Sequence, residues 1–267
     1  MRSSEWIAVG YFAASIVAAW TRSRPLGRRF EISAAGAIMC AVVPWVAHNG
    51  GVLVRDWFPL VVILSAYYLS GRFFVHPAEH IEQWLLAWDR RLLGNPSTRF
   101  ARWPRVWLAS LDLAYMGCFL LVPGGFAALV ATGHAALADR YWTIVVFAEL
   151  GSFAPLWIIE TRPPWAIEPR SALRDRVIHR FASGFVNRFT HRANTFPSGH
   201  AAGSLAVAFA AIAALPWIGA ALLALAILIC ISAVVGRYHY AVDVMIGALL
   251  AIAAWAIGAQ LYVAHLR

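Results

Sequence analysis

The chain has 267 residues, of which 61% are hydrophobic and 13% charged, and its mean hydropathy is +0.66. That balance excludes a soluble domain and points to an all-α, polytopic membrane bundle, because apolar stretches of roughly 17–25 residues, enough to cross a bilayer, recur throughout. All 22 basic residues are arginine and the formal net charge is +9, which suits anionic lipid headgroups and phosphate oxygens; nothing in the pattern calls for nucleic acid.

Taken in chain order, eight spans are predicted, near 6–20, 31–47, 57–74, 107–130, 142–160, 198–215, 217–236 and 241–263. The first, "EWIAVGYFAASIVAAW", has a short apolar core but only Arg2 before it, and further spans follow. It reads as a retained helix, not a cleaved secretory signal. Residues 1–56 form an N-terminal extension in this scheme, and 57–267 a membrane core. Cys40, Cys118 and Cys230 fall inside spans without metal-ligand spacing, as apolar packing residues do.

Two polar segments separate the spans. Pro77–Gly94 places Ile81, Trp84, Leu85, Trp88 and Leu92 on one helical face, with Glu82, Asp89 and Arg90 elsewhere. That is the pattern of a helix lying in the membrane interface. Ser171–Arg192 repeats it with Leu173, Val177, Phe181, Phe185 and Phe189 four apart, and its arginines are available to lipid phosphates. With eight spans, 18 arginines fall on one face and Arg2, Arg55, Arg140 and Arg267 on the other. Asp112 and Glu149 lie inside spans, where an ionised carboxylate is expensive, and are expected to make structural polar contacts.

Three stretches on the arginine-rich face stand at span ends: "ETRPPW" (Glu160–Trp165), "FPSGH" (Phe196–His200) and "GRYHYAVD" (Gly236–Asp243). Pro197 suits the start of a helix, and the amides of Ser198 and Gly199 would then meet an oxyanion at the positive end of the dipole. Arg162 and Arg237 would close that phosphate site from other helices. His239 and Asp243, four apart, would share a helix face. A carboxylate there fixes the imidazole tautomer and leaves the other nitrogen to attack. His200 takes the complementary role of protonating the leaving group. Such a set would be complete for phosphoryl transfer with neither metal nor cofactor.

These stretches resemble the signature of the type 2 phosphatidic acid phosphatase (PAP2) superfamily, Lys-x6-Arg-Pro, Pro-Ser-Gly-His and Ser-Arg-x5-His-x3-Asp, from about Trp57 onward. Pro197–His200 and His239–Asp243 match intact. The resemblance implies His239 as a nucleophile forming a phosphohistidine, Asp243 as its partner and His200 as the acid. It implies a six-helix core and a phosphorylated lipid as substrate. Two positions depart: the family lysine falls on Pro155, and the arginine after Ser232 is Ala233, with Arg237 one turn further on. "RYHYAVD" also resembles the branch that includes fungal inositol phosphorylceramide synthase.

Three readings follow. The first is a membrane lipid phosphatase or phosphotransferase. The second, a vanadium-dependent haloperoxidase, shares the motifs but lacks the cation at Pro155 and would be soluble. The third is a carrier that holds a lipid phosphate without cleaving it. The positive-inside rule places the arginine-rich face in the cytoplasm, whereas the resemblance implies the extracytoplasmic face of a bacterial inner membrane, which is the orientation expected here.

Overall fold

The computed structural model describes residues 1–168 and 196–265, with side chains as far as Gln260. The described residues form twelve α-helices and no strand, the all-helical bundle that the hydropathy predicts. The amphipathic segment expected at Ser171–Arg192 lies outside them.

In chain order the helices are α1 (Ser3–Thr21), α2 (Leu26–Asn49), α3 (Val52–Gly71), α4 (Glu79–Leu93), α5 (Pro96–Ala101), α6 (Arg105–Met116) and α7 (Cys118–Ala131). After these come α8 (Ala138–Phe153), α9 (Pro164–Ile167), α10 (Gly199–Ile212), α11 (Pro216–Val235) and α12 (Ala241–His265). Fewer of them meet the length of a bilayer than the sequence predicts. Four (α2, α3, α11 and α12) are long and apolar enough to cross, and α6 with α7, bent by 56° at Gly117, makes a fifth if the pair is one span. Helix α1 carries Ser3, Ser4 and Glu5 in its first turn, which lowers its hydropathy. Helices α8 and α10 have 16 and 14 residues, so they rise only about 24 and 21 Å.

Those two short helices are the centre of the bundle. Trp142, Ile144, Val145 and Ala148 of α8 are fully enclosed, as are Ala201, Ala202, Ala206, Val207 and Ala208 of α10. The small side chains of α10 let α7, α8, α11 and α12 approach it closely from all sides. One apolar cluster runs through this centre and outward to Phe12 of α1 and Ile32 of α2. Near the far end of α10, a Cβ on Gly219 of α11 would stand 2.3 Å from the Ile212 Cα, so only glycine allows that crossing.

The polar residues sort to two ends. At one end Arg2 pairs with Asp56 at 2.6 Å, and Arg55 with Glu5 at 2.6 Å. At the other, Arg24 donates to the Trp157 carbonyl at 2.6 Å, Arg22 to that of Ile158 at 3.1 Å, and Arg28 to that of Phe74. The start of α10, the end of α11 and the start of α12 meet at this second end.

Gly219→Ala should lower the unfolding free energy by about 1–3 kcal/mol, the usual range for overpacking a closed interface. Gly10→Ala, inside α1 with nothing within 4 Å, should not lower it and should raise it by up to about 1 kcal/mol through helix propensity. Thermal unfolding of the two variants in detergent measures the difference.

Candidate functional site

The site is built around the turn that joins α11 to α12. Helix α11 ends at Val235 with Gly236 as its C-cap, and the next residue, Arg237, adopts a left-handed backbone with φ 59°. For a residue with a Cβ this costs about 1–2 kcal/mol, so its surroundings must hold it. The Arg237 amide donates to Val234 O at 3.1 Å and its carbonyl accepts from Trp165 N at 3.2 Å. Tyr238 N and His239 N both donate to Ala233 O, at 2.9 and 3.0 Å. The Arg237 side chain is 2% exposed: Nη1 donates to Asp89 at 2.7 Å, and Nε and Nη2 to the two oxygens of Glu168 at 2.9 and 3.0 Å.

The start of α12 is closed by two carboxylates. Asp89 Oδ1 accepts from Ala241 N at 2.8 Å, and Asp243 Oδ2 accepts from Tyr240 N at 3.1 Å. Acids in the first turn are favoured by the orphan amides and the positive end of the dipole. His239 lies before the helix and Asp243 within its first turn, with His239 Nδ1 3.5 Å from Asp243 Oδ2. The shared helix face predicted for this pair is therefore a turn-and-cap arrangement. The pairing survives, with Nδ1 towards the carboxylate and Nε2 on the opposite edge of the ring.

The start of α10 differs from expectation in one register. Pro197 precedes the helix, and Ser198 is its N-cap, accepting through Oγ from Ala201 N at 3.3 Å. The Ser198 amide donates to Asp243 O at 3.0 Å, so it is not an anion donor as the sequence implied. The amides heading the helix are those of Gly199 and His200, which have no intrahelical partner by geometry. A Cβ on Gly247 of α12 would stand 2.5 Å from Ser198 O, so that glycine lets the two motifs touch. The His200 ring centre is 5.6 Å from that of His239.

Arg162 and Arg237 do arrive at this end, but each is held by acid. Arg162 forks onto Glu82, with Nε to Oε1 at 3.0 Å and Nη2 to Oε2 at 2.7 Å, and its backbone N–H joins Oε1 at 2.7 Å. That bonded carboxylate raises the guanidinium pKa above its ordinary value. Tyr240 Oη donates to Arg162 O at 3.0 Å, tying the two arginine segments together. Ala233 does not share a helix face with Arg237, because α11 stops between them and the left-handed turn redirects the side chain. Ser232 ties α11 to α6 through Leu111 O at 2.7 Å.

The residues that sequence reasoning missed are Glu82, Asp89 and Glu168. Helix α4 does lie amphipathically across this end, with Trp84 51% exposed. Its buried face, however, is Glu82, Leu85, Leu86 and Asp89. Leu85 and Leu86 pack on Tyr240 and Val242, and the two acids flank them one heptad apart. The seven-residue spacing of Glu82 and Asp89 on a face with two leucines was the available signal. Asp112 makes the polar contact expected of it, accepting from the Tyr238 hydroxyl. Glu149 packs against α10, where a Cβ on Gly203 would fall 1.8 Å from its Oε1.

Residues 141–267 match the family model described as the PAP2 superfamily. The match holds His200, His239 and Asp243 and starts later than Trp57, at Tyr141; it names no branch within the superfamily. No curated protein matches the chain, and no solved structure does.

Asp89→Ala leaves a buried guanidinium short of a counter-charge and an α12 amide without its acceptor, and should cost about 3–5 kcal/mol of stability. Asp89→Asn keeps the acceptor for Ala241 N and should cost less. Chemical denaturation of the two variants, in parallel with wild type, checks both the loss and its order.

Proposed function

We propose that this chain is an integral-membrane enzyme that removes or transfers the phosphoryl group of a phosphorylated lipid through a phosphohistidine at His239, without a metal. The observation that carries the reading is the convergence of His239, Asp243 and His200 on the N-terminal end of α10. The match to the superfamily over residues 141–267 supports the reaction class.

In this scheme the phosphate of the substrate rests against the Gly199 and His200 amides, with the Ser198 hydroxyl and the N–H groups of Arg162 and Arg237 not spent on carboxylates around it. His239 Nε2 attacks phosphorus, and the bond to the lipid oxygen breaks as His200 gives that oxygen a proton. Asp243 stabilises the charge that develops on the His239 ring. Neutral His200 then takes a proton from an incoming hydroxyl, which attacks the phosphohistidine and frees His239. Water as acceptor gives hydrolysis, and a lipid or polyol hydroxyl gives transfer.

His239→Ala should abolish lipid phosphate release, and His200→Ala should slow it by about 10²–10⁴, the usual contribution of a positioned acid. Wild type quenched during turnover of a labelled phospholipid should carry an acid-labile, base-stable phosphoryl group, absent from His239→Ala. Full activity in His239→Ala would sink the mechanism.

One observation favours a second reading, in which the site holds a lipid phosphate without cleaving it: both arginine forks are engaged by Glu82, Asp89 and Glu168. Tight phospholipid binding with no release or transfer from a panel of phosphatidate, polyprenyl phosphates and inositol-bearing lipids would select it.

This reading puts the site on the extracytoplasmic face. The resemblance carries this orientation: Arg22, Arg24, Arg28, Arg162 and Arg237 are spent on carbonyls and carboxylates of the protein, as Arg2 and Arg55 are at the opposite end, so these arginines weigh little as topological signals for either side. In a cysteine-free background, Arg102→Cys should react with an impermeant thiol reagent on intact cells, and Gly133→Cys only after permeabilisation. The reverse pattern places the site in the cytoplasm.

A further inference from the structure

The proposed acid, His200, stands in the first turn of α10, where a histidine ring can turn freely about two side-chain bonds. Here it is the end of a column of three nearly parallel rings. Tyr238 stacks on Tyr115 with centroids 4.3 Å apart and planes 9° apart, and Tyr115 stacks on His200 at 5.1 Å and 1°. The edge of Phe119 meets the His200 ring at 5.9 Å and 86°, limiting the remaining rotation.

The column is braced from outside the motifs. Tyr115 is 2% exposed and belongs to α6, three residues after Asp112, which bonds the Tyr238 hydroxyl. Helix α6 is itself fastened to α11 by the Ser232–Leu111 hydrogen bond at 2.7 Å. The plane of the His200 imidazole is therefore set by a helix that carries none of the three motifs and lies outside the stretch matching the family.

We propose that Tyr115 is a positioning residue for phosphoryl transfer: its ring fixes the plane of the His200 imidazole so that one ring nitrogen meets the leaving oxygen. This rests on the acid role given to His200 above. A proton donor acts only within about 2.6–3.2 Å of its target, and a misplacement near 1 Å can lower the rate about 10²-fold. The demand scales with the leaving group. A diacylglycerol oxygen needs the proton as its bond to phosphorus breaks, whereas a nitrophenolate leaves without one.

The test compares kcat/KM, which reports the steps up to departure of the leaving group and not the later breakdown of the phosphohistidine, on phosphatidic acid and on p-nitrophenyl phosphate for purified wild type, Tyr115→Phe, Tyr115→Met, His200→Ala and the Tyr115→Met/His200→Ala double variant. Tyr115→Phe keeps the ring and should stay near wild type on both substrates. Tyr115→Met keeps the bulk without the ring, and should lose about 10–100-fold in kcat/KM on phosphatidic acid and less than about threefold in kcat/KM on the aryl ester. The double variant should be no slower than His200→Ala alone. Equal losses on both substrates, or losses that multiply in the double variant, would overturn the proposal. If Tyr115→Met does not fold, Tyr238→Leu decides, since it removes the ring behind Tyr115 and should show the same substrate bias at smaller size. His239→Ala run alongside separates the two levels: undiminished turnover there removes the phosphohistidine reading itself, whereas an inactive His239→Ala with a wild-type-like Tyr115→Met removes only the role of Tyr115.

Discussion

A single buried carboxylate, that of Asp89, fixes the geometry on which the rest of the site depends. It is wholly enclosed, and an ionised carboxylate in such a place is tolerable only when its oxygens are taken up. One oxygen meets the Arg237 guanidinium and the other the Ala241 amide at the head of α12. The same group thus anchors Arg237, two residues before His239, and Ala241, two residues after it. Glu82, one heptad earlier on α4, makes the equivalent anchor for Arg162. Helix α4 is a clasp laid across the bundle end, with its tryptophan face outward and its acids inward.

Much of this was legible in the sequence, for identifiable reasons. Apolar length betrays helices, and Pro, Ser, Gly and His gathered at helix ends betray a polar centre among them. What hid was anything whose partner is distant in the chain. Glu82 and Arg162 are 80 residues apart, and Asp89 and Arg237 are 148 apart. Periodicity sees the tryptophan stripe of α4 and assigns the acids to water, because it cannot see the cations that await them. The His239–Asp243 spacing suggested one helix, yet the chain turns between α11 and α12 and brings the pair together as turn and cap. The shortness of α8 and α10 was also hidden, since the apolar stretches around them continue past the helix ends.

The arginines have a use that their number alone does not disclose. Several near the site reach back to backbone carbonyls at the ends of α1, α3 and the segment after α8, where orphan acceptors need donors. A guanidinium, with five N–H groups in a fixed plane, serves several such acceptors at once. The strong basic balance is in part the counterpart of helix ends crowded into one place, and only in part a matter of membrane charge.

Arg237 illustrates where such crowding leads. Its backbone conformation suits glycine or asparagine, while its surroundings suit nothing but a planar cation with several donors. Glycine would relax the turn and strand two carboxylates; lysine would keep the charge and lose the fork. Few single replacements can satisfy both demands, so drift at this position is blocked unless Asp89 or Glu168 changes with it. Residues 89, 168 and 237 are thus bound to a common evolutionary fate, and in homologous chains their identities should vary together.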